Sequence, residues 1–130
     1  MELMLLQSHL SPTEFTILKE STTRYKPSLI AISLCYFFKS YQQSNVTPFI
    51  TYISCLIITM KFYSDVDVSQ FTQRWSVKSH VPCHILANNE SEILKMLHYQ
   101  LRIEFADLLN IKMHSQSLTQ ELAKISILSI

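Results

Sequence analysis

The sequence predicts an all-α fold, a five-helix bundle wrapped around a central third helix with short flanking helices, and three observations carry that expectation. Residues 48 to 63, PFITYISCLIITMKFY, are apolar on every side of a helix and carry no charge before Lys61, so this helix belongs among others rather than on a surface. Glycine is entirely absent, and the favoured two-residue hairpin turns need positive φ at their centre. Helix start signals recur at regular intervals along the chain.

Ser11-Pro12-Thr13-Glu14 is a capping box with proline at the first helical position, which opens a helix over about 12 to 22. Pro27 opens a second, SLIAISLCYFFKSY, which ends near the polar QQSN. Thr47-Pro48 supplies the cap and first-turn proline of the third. Asp67 is placed to cap a short fourth helix, VSQFTQRW, with Gln70 at the reciprocal position. Pro82 admits a fifth helix over about 82 to 99, with Leu86, Ile93 and Leu97 on one face and Glu90 and Leu94 on a neighbouring stripe at its edge. FADLLNIKMH reads as a further short helix, and Ser117-Leu118-Thr119-Gln120 is a last capping box before ELAKISILSI. The alternation in SVKSHV, 76 to 81, is too brief to argue for a strand. With 130 residues, 48% of them hydrophobic, the chain is expected to form one domain. It divides into an N-terminal flanking helix and loop (1–26), a core (27–103) and a C-terminal helical extension (104–130).

Composition narrows the function classes. Without glycine there is no phosphate-cradling loop, dinucleotide fingerprint or nucleophile elbow. Eleven Lys and Arg against ten acidic residues are scattered without a basic stripe, which argues against nucleic-acid binding. Three cysteines, Cys35, Cys55 and Cys83, are an odd number and two lie in apolar stretches, so reduced thiols in a cytoplasmic or nuclear protein are expected. The apolar stretches 28–38 and 48–60 are shorter than the roughly 20 residues that cross a bilayer. The start of the sequence lacks the basic region of a secretory signal.

His80, Cys83 and His84 are the one cluster of metal-ligand types, but Pro82 interrupts it and no second pair is spaced to complete a zinc site. Asp65 and Asp67 lack the remaining oxygen ligands of a calcium loop. Seventeen serines make chance Ser, His and Asp triples inevitable, and no local motif organises one. No enzyme, cofactor, metal or small-molecule substrate is therefore expected. The aromatics Tyr36, Phe37, Phe38, Phe49, Tyr52, Phe62 and Tyr63 fall at helical spacing in the greasiest segments and read as core. Lys61 by itself reads as a cation at a helix C-terminus, and Glu90 as an exposed carboxylate.

The pattern around those two residues adds to this. From Leu29 to Ile103, about 75 of 130 residues, the chain resembles a single N-terminal-type cyclin box, closest to the P/U-type, phosphate-regulation cyclins of fungi and protists. The matching segments are CYFFKSY, ITMKFYSD, DVSQF and NNESEILKMLHYQLRI, in the family's order and spacing. The sequence departs from the family at Phe38 and Lys39, at Thr59-Met60 before Lys61, at the missing glycines before the fifth helix, and at Asn89, where an apolar residue is usual. The resemblance implies a regulatory subunit that binds and activates a cyclin-dependent protein kinase by docking its C helix. Lys61 and Glu90 match the lysine and glutamate that grip that helix, with Phe62 and Leu94 adjoining and Tyr99 near the rim. The alternative is a cyclin-fold or generic helical adaptor for a non-kinase protein.

Overall fold

The computed structural model describes residues 2–64, 69–104, 106–109 and 111, and every regular element among them is helical. A 3-10 segment, Glu2–His9, leads into α1 (Pro12–Ser21), α2 (Pro27–Ser40), a 3-10 turn (Tyr41–Gln43), α3 (Pro48–Tyr63), α4 (Phe71–Ser79) and α5 (Cys83–Met96). Residues 106–109 are helical as well. Asp65, Asp67, Val68 and the segment from 112 to 130 with its Ser117 capping box lie outside the described residues.

The caps expected at the first and third helices are formed. Glu14 N–H donates to Ser11 Oγ at 3.2 Å while Ser11 N–H donates to the Glu14 carboxylate at 2.9 Å, which satisfies two amides that the helix itself leaves orphaned. At α3, Thr47 Oγ1 accepts from Ile50 N–H, and Pro48 occupies the first turn. Lys26 caps α2 without a side-chain bond, so there Pro27 and the apolar packing carry the start.

Helix α3 is the axis of the bundle. All ten residues from Thr51 to Met60 are buried, and the helix packs against α2, α4 and α5. Its buried serine and threonine hydroxyls bond within the protein: Thr51, Ser54 and Thr59 donate to the carbonyls of Thr47, Ile50 and Cys55, four residues back. Ser33 Oγ donates to Ile30 O at 2.7 Å, which leaves its oxygen to accept the Tyr52 hydroxyl at 2.8 Å and ties α2 to α3. Among the described residues no buried side-chain polar atom lacks a partner. A polar group so placed costs little, because its desolvation is offset by the bond it makes.

Two helix boundaries and the N-terminal segment differ from the sequence expectation. Helix α4 begins at Phe71 rather than at 68, and α5 ends at Met96 rather than near 99. Its apolar spacing runs on through Leu97 and Leu101, but the chain leaves the helix in a left-handed turn: His98 N–H donates to Lys95 O and Tyr99 N–H to Leu94 O. The turn delivers the Leu101 carbonyl to the hydroxyls of Tyr36 and Tyr63, which both donate to it. The third difference is at the N-terminus, where Leu6 is fully buried and the His9 ring packs edge-on to Phe37 and Tyr41. Further along, Lys39 pairs with Asp107 at 3.1 Å and fastens residues 106–109 to α2.

A chain without glycine has to use side-chain-bearing residues where the backbone turns left-handed. His80, His98 and Tyr99 have φ of 59°, 54° and 58°. For an L-residue this costs about 1–2 kcal/mol, partly offset against glycine by the smaller entropy of the unfolded chain. His80 is exposed and ends α4, so His80→Gly is expected to stabilise the fold by about 0.5–1 kcal/mol and to raise Tm by a few degrees. A thermal melt checks this, and a lower Tm would show that the imidazole contributes more than its backbone costs.

Candidate functional site: a paired-charge surface at the end of the central helix

Lys61 lies in the last turn of α3, where its ammonium complements the carbonyl end of the helix dipole. Glu90 comes from the middle of α5. The structure brings them together: Lys61 Nζ stands 3.0 Å from one carboxylate oxygen of Glu90 and 3.1 Å from the other. The lysine side chain is 43% exposed and the glutamate 15%, so the pair faces outward from a nearly buried carboxylate.

What aims Glu90 is the residue before it. Leu86, Asn89 and Ile93 form the buried face of α5, and Asn89 Nδ2 donates to Ser54 Oγ at 3.0 Å, deep against α3. Ser54 gives its own proton to Ile50 O, so its oxygen is free to accept. This bond fixes the rotation of α5, and a residue one position further round the helix then meets the edge where α3 ends. Asn89 was legible only as a departure from apolar character. Its place in the spacing 86, 89, 93 marks it as a core position occupied by an amide, and that signal is enough to search for a buried partner.

The remaining predicted site residues lie next to Lys61 in sequence, on α5 after Glu90, and in the turn that follows α5. Phe62, expected in the core from its helical spacing, is instead 57% exposed because it lies in the last turn of α3 beyond the covered stretch; its ring is 4.9 Å from that of Tyr63, whose hydroxyl donates to Leu101 O at 2.9 Å. Leu94, one turn after Glu90, is half-buried against the core. Tyr99 is 66% exposed and lies beyond the end of α5, held through its own N–H to the Leu94 carbonyl at 2.9 Å. Tyr99 therefore belongs to the turn that follows the helix, and its position depends on the left-handed backbone there. Two large exposed rings and a half-buried leucine accompany the ion pair on these elements.

Elsewhere, His80, Cys83 and His84 are exposed, and among the described residues no three His, Cys, Asp or Glu side chains gather as a metal site requires. No described helix is long and apolar enough to cross a membrane. Cys35 and Cys55 are buried free thiols, and burial pushes the first up to about 11 and the second up to about 12. The fold prefers the neutral thiol. The stability from this preference is complete below the ordinary thiol value of 9.0 and is lost as pH rises from there towards 12. Because the thiolate is the nucleophile, native protein treated with iodoacetamide at about pH 8 is expected to gain one adduct, at exposed Cys83, and all three after denaturation. Intact-mass measurement distinguishes this from three native adducts, which would mean that α2 and α3 open readily.

The described residues thus define an all-α protein whose central helix ends in an outward-facing charge pair. No protein-family model matches the chain, and no curated protein or solved structure is significantly similar to it.

Proposed function

We propose that the protein is a regulatory subunit that docks on the C helix of a cyclin-dependent protein kinase in the cytoplasm or nucleus and activates it. One observation carries this reading: the bidentate Lys61–Glu90 pair at the end of a fully wrapped central helix, the pairing implied by the cyclin-box resemblance. The exposed ring of Phe62 and the half-buried Leu94 supply apolar surface beside it, and Tyr99 an aromatic rim.

The mechanism involves no chemistry of the subunit's own. A kinase is active when its C-helix glutamate pairs with the strand lysine that holds the ATP phosphates, and the free kinase leaves that helix displaced. A rigid surface that binds the paired arrangement better shifts the population towards it. Moving a kinase from mostly off to mostly on takes a preference of about 5 kcal/mol. The charges of Lys61 and Glu90 are already held against each other, so little ordering entropy remains to be lost on binding.

Affinity purification of the full chain from its native cells tests the reading. Enrichment of a kinase catalytic subunit, with phosphotransfer activity in the eluate, is the expected result. Recovery of partners that include no kinase would favour the adaptor reading instead.

A further inference from the structure

The basic residues are scattered in sequence, but the fold gathers three of them. Arg24, from the α1–α2 connection, and Arg74 and Lys78, four apart on one face of α4, line a cleft of about 590 Å³. Tyr25, Phe71 and Met60 also line it, and the wall is firm: Trp75 is fully buried and donates its indole N–H to the Tyr25 hydroxyl at 3.3 Å. Lys78 Nζ lies 5.4 Å from the Trp75 ring centroid, which holds the ammonium over the aromatic face. Among the described residues neither arginine nor the lysine is in an ion pair, and Glu20, the one carboxylate of the lining, makes none either.

Two guanidiniums and an ammonium around an apolar wall form a site whose charge is unpaired among the described residues. Guanidinium forks match the oxygens of a phosphate, and a dianionic phosphate balances the excess of cations. We propose that this cleft binds a peptide carrying a phosphorylated serine or threonine, with Arg24, Arg74 and Lys78 on the phosphate and the half-buried Tyr25, backed by Phe71 and Met60, against a neighbouring apolar side chain.

A nucleotide or nucleic acid suits the cleft less well. A base needs an open ring face to stack on, whereas Trp75 is 0% and Phe71 9% exposed, and the half-buried ring of Tyr25 lies tilted against Phe71 with its centroid 6.1 Å away. Three cations suit a single phosphate rather than a backbone of them. The site uses none of Lys61, Phe62, Glu90, Leu94 and Tyr99, so it goes beyond the kinase-docking reading and can stand or fall without it.

The test is fluorescence anisotropy of the full chain with a fluorescein-labelled peptide bearing one phosphoserine between leucines, beside its unphosphorylated twin and a single-stranded RNA oligonucleotide. The phosphopeptide is expected to bind at least about tenfold tighter than the twin and tighter than the RNA, with inorganic phosphate competing. Arg24→Ala with Arg74→Ala, both at exposed positions, should remove about tenfold or more of that affinity with unchanged circular dichroism, while Glu90→Lys should leave it intact. Equal binding of the two peptides, phosphopeptide binding that survives the double substitution, or tighter binding of the RNA would each overturn the proposal.

Discussion

Reversing the charge at position 90, Glu90→Lys, is expected to abolish co-purification of a kinase catalytic subunit while the circular dichroism stays helical. The fold tolerates the change because the pair is half open to water on the lysine side, and such pairs contribute only about 0–1 kcal/mol to stability. The lysine at 61 can swing into solvent, and the one introduced at 90 can extend its long stem past the 15% exposed position of the carboxylate to reach water. The interface does not tolerate it. A partner group matched to the pair would be left desolvated and unpaired, at a cost of about 2–5 kcal/mol, or roughly thirty-fold to several-thousand-fold in Kd. Truncating Lys61 instead should fall in the same range. The exchanged variant, Lys61→Glu with Glu90→Lys, restores an internal ion pair but presents it reversed, so its stability should recover and its kinase binding should not. Retention of the kinase by Glu90→Lys would remove these residues from the site.

Truncating the middle of the central helix, Leu56→Ala, is expected to cost about 2–5 kcal/mol of folding stability. Leu56 is fully buried on a helix covered by three others, so its neighbours cannot collapse into the space it vacates. Domains of this size hold on the order of 5–15 kcal/mol in total, so the loss is a large fraction of the whole. Urea denaturation should show the midpoint falling with an unchanged slope. Phe62→Ala, one helical turn and a half further on, makes the contrast: its ring is 57% exposed, and its loss should move stability by no more than about 0.5 kcal/mol. A cost below about 1 kcal/mol for Leu56→Ala would contradict a close-packed α3.

How much of this was legible can be traced element by element. The boxes at Ser11 and at Thr47-Pro48 are local chemistry and were readable, because the capping atoms lie within three residues of each other. The end of α5 was not. Leu94, Leu97 and Leu101 continue a helical spacing past Met96, and no glycine marks the stop; the chain turns there and a carbonyl is captured by Tyr36 and Tyr63, 65 and 38 positions away. The N-terminal segment hid for a different reason: its leucines at 3, 5, 6 and 10 follow no capping signal, yet Leu6 is sealed in the core. In the candidate site, Lys61 and Glu90 were singled out through a family resemblance. Nothing in their own surroundings distinguished them from an ordinary helix-end cation and a surface acid.

The sequence by itself determined that this protein is helical and that one helix is enclosed, since caps and periodicity act over a few residues and an apolar circumference can be buried only by neighbours. Tertiary structure alone decided which charges meet. Two groups 29 positions apart come within 3.0 Å only because an amide on α5 bonds a hydroxyl on α3, and the same packing of helices assembles Arg24, Arg74 and Lys78 into one cleft. Crossing and rotation of rigid helices depend on how side chains interlock across the interface, and no local pattern encodes that.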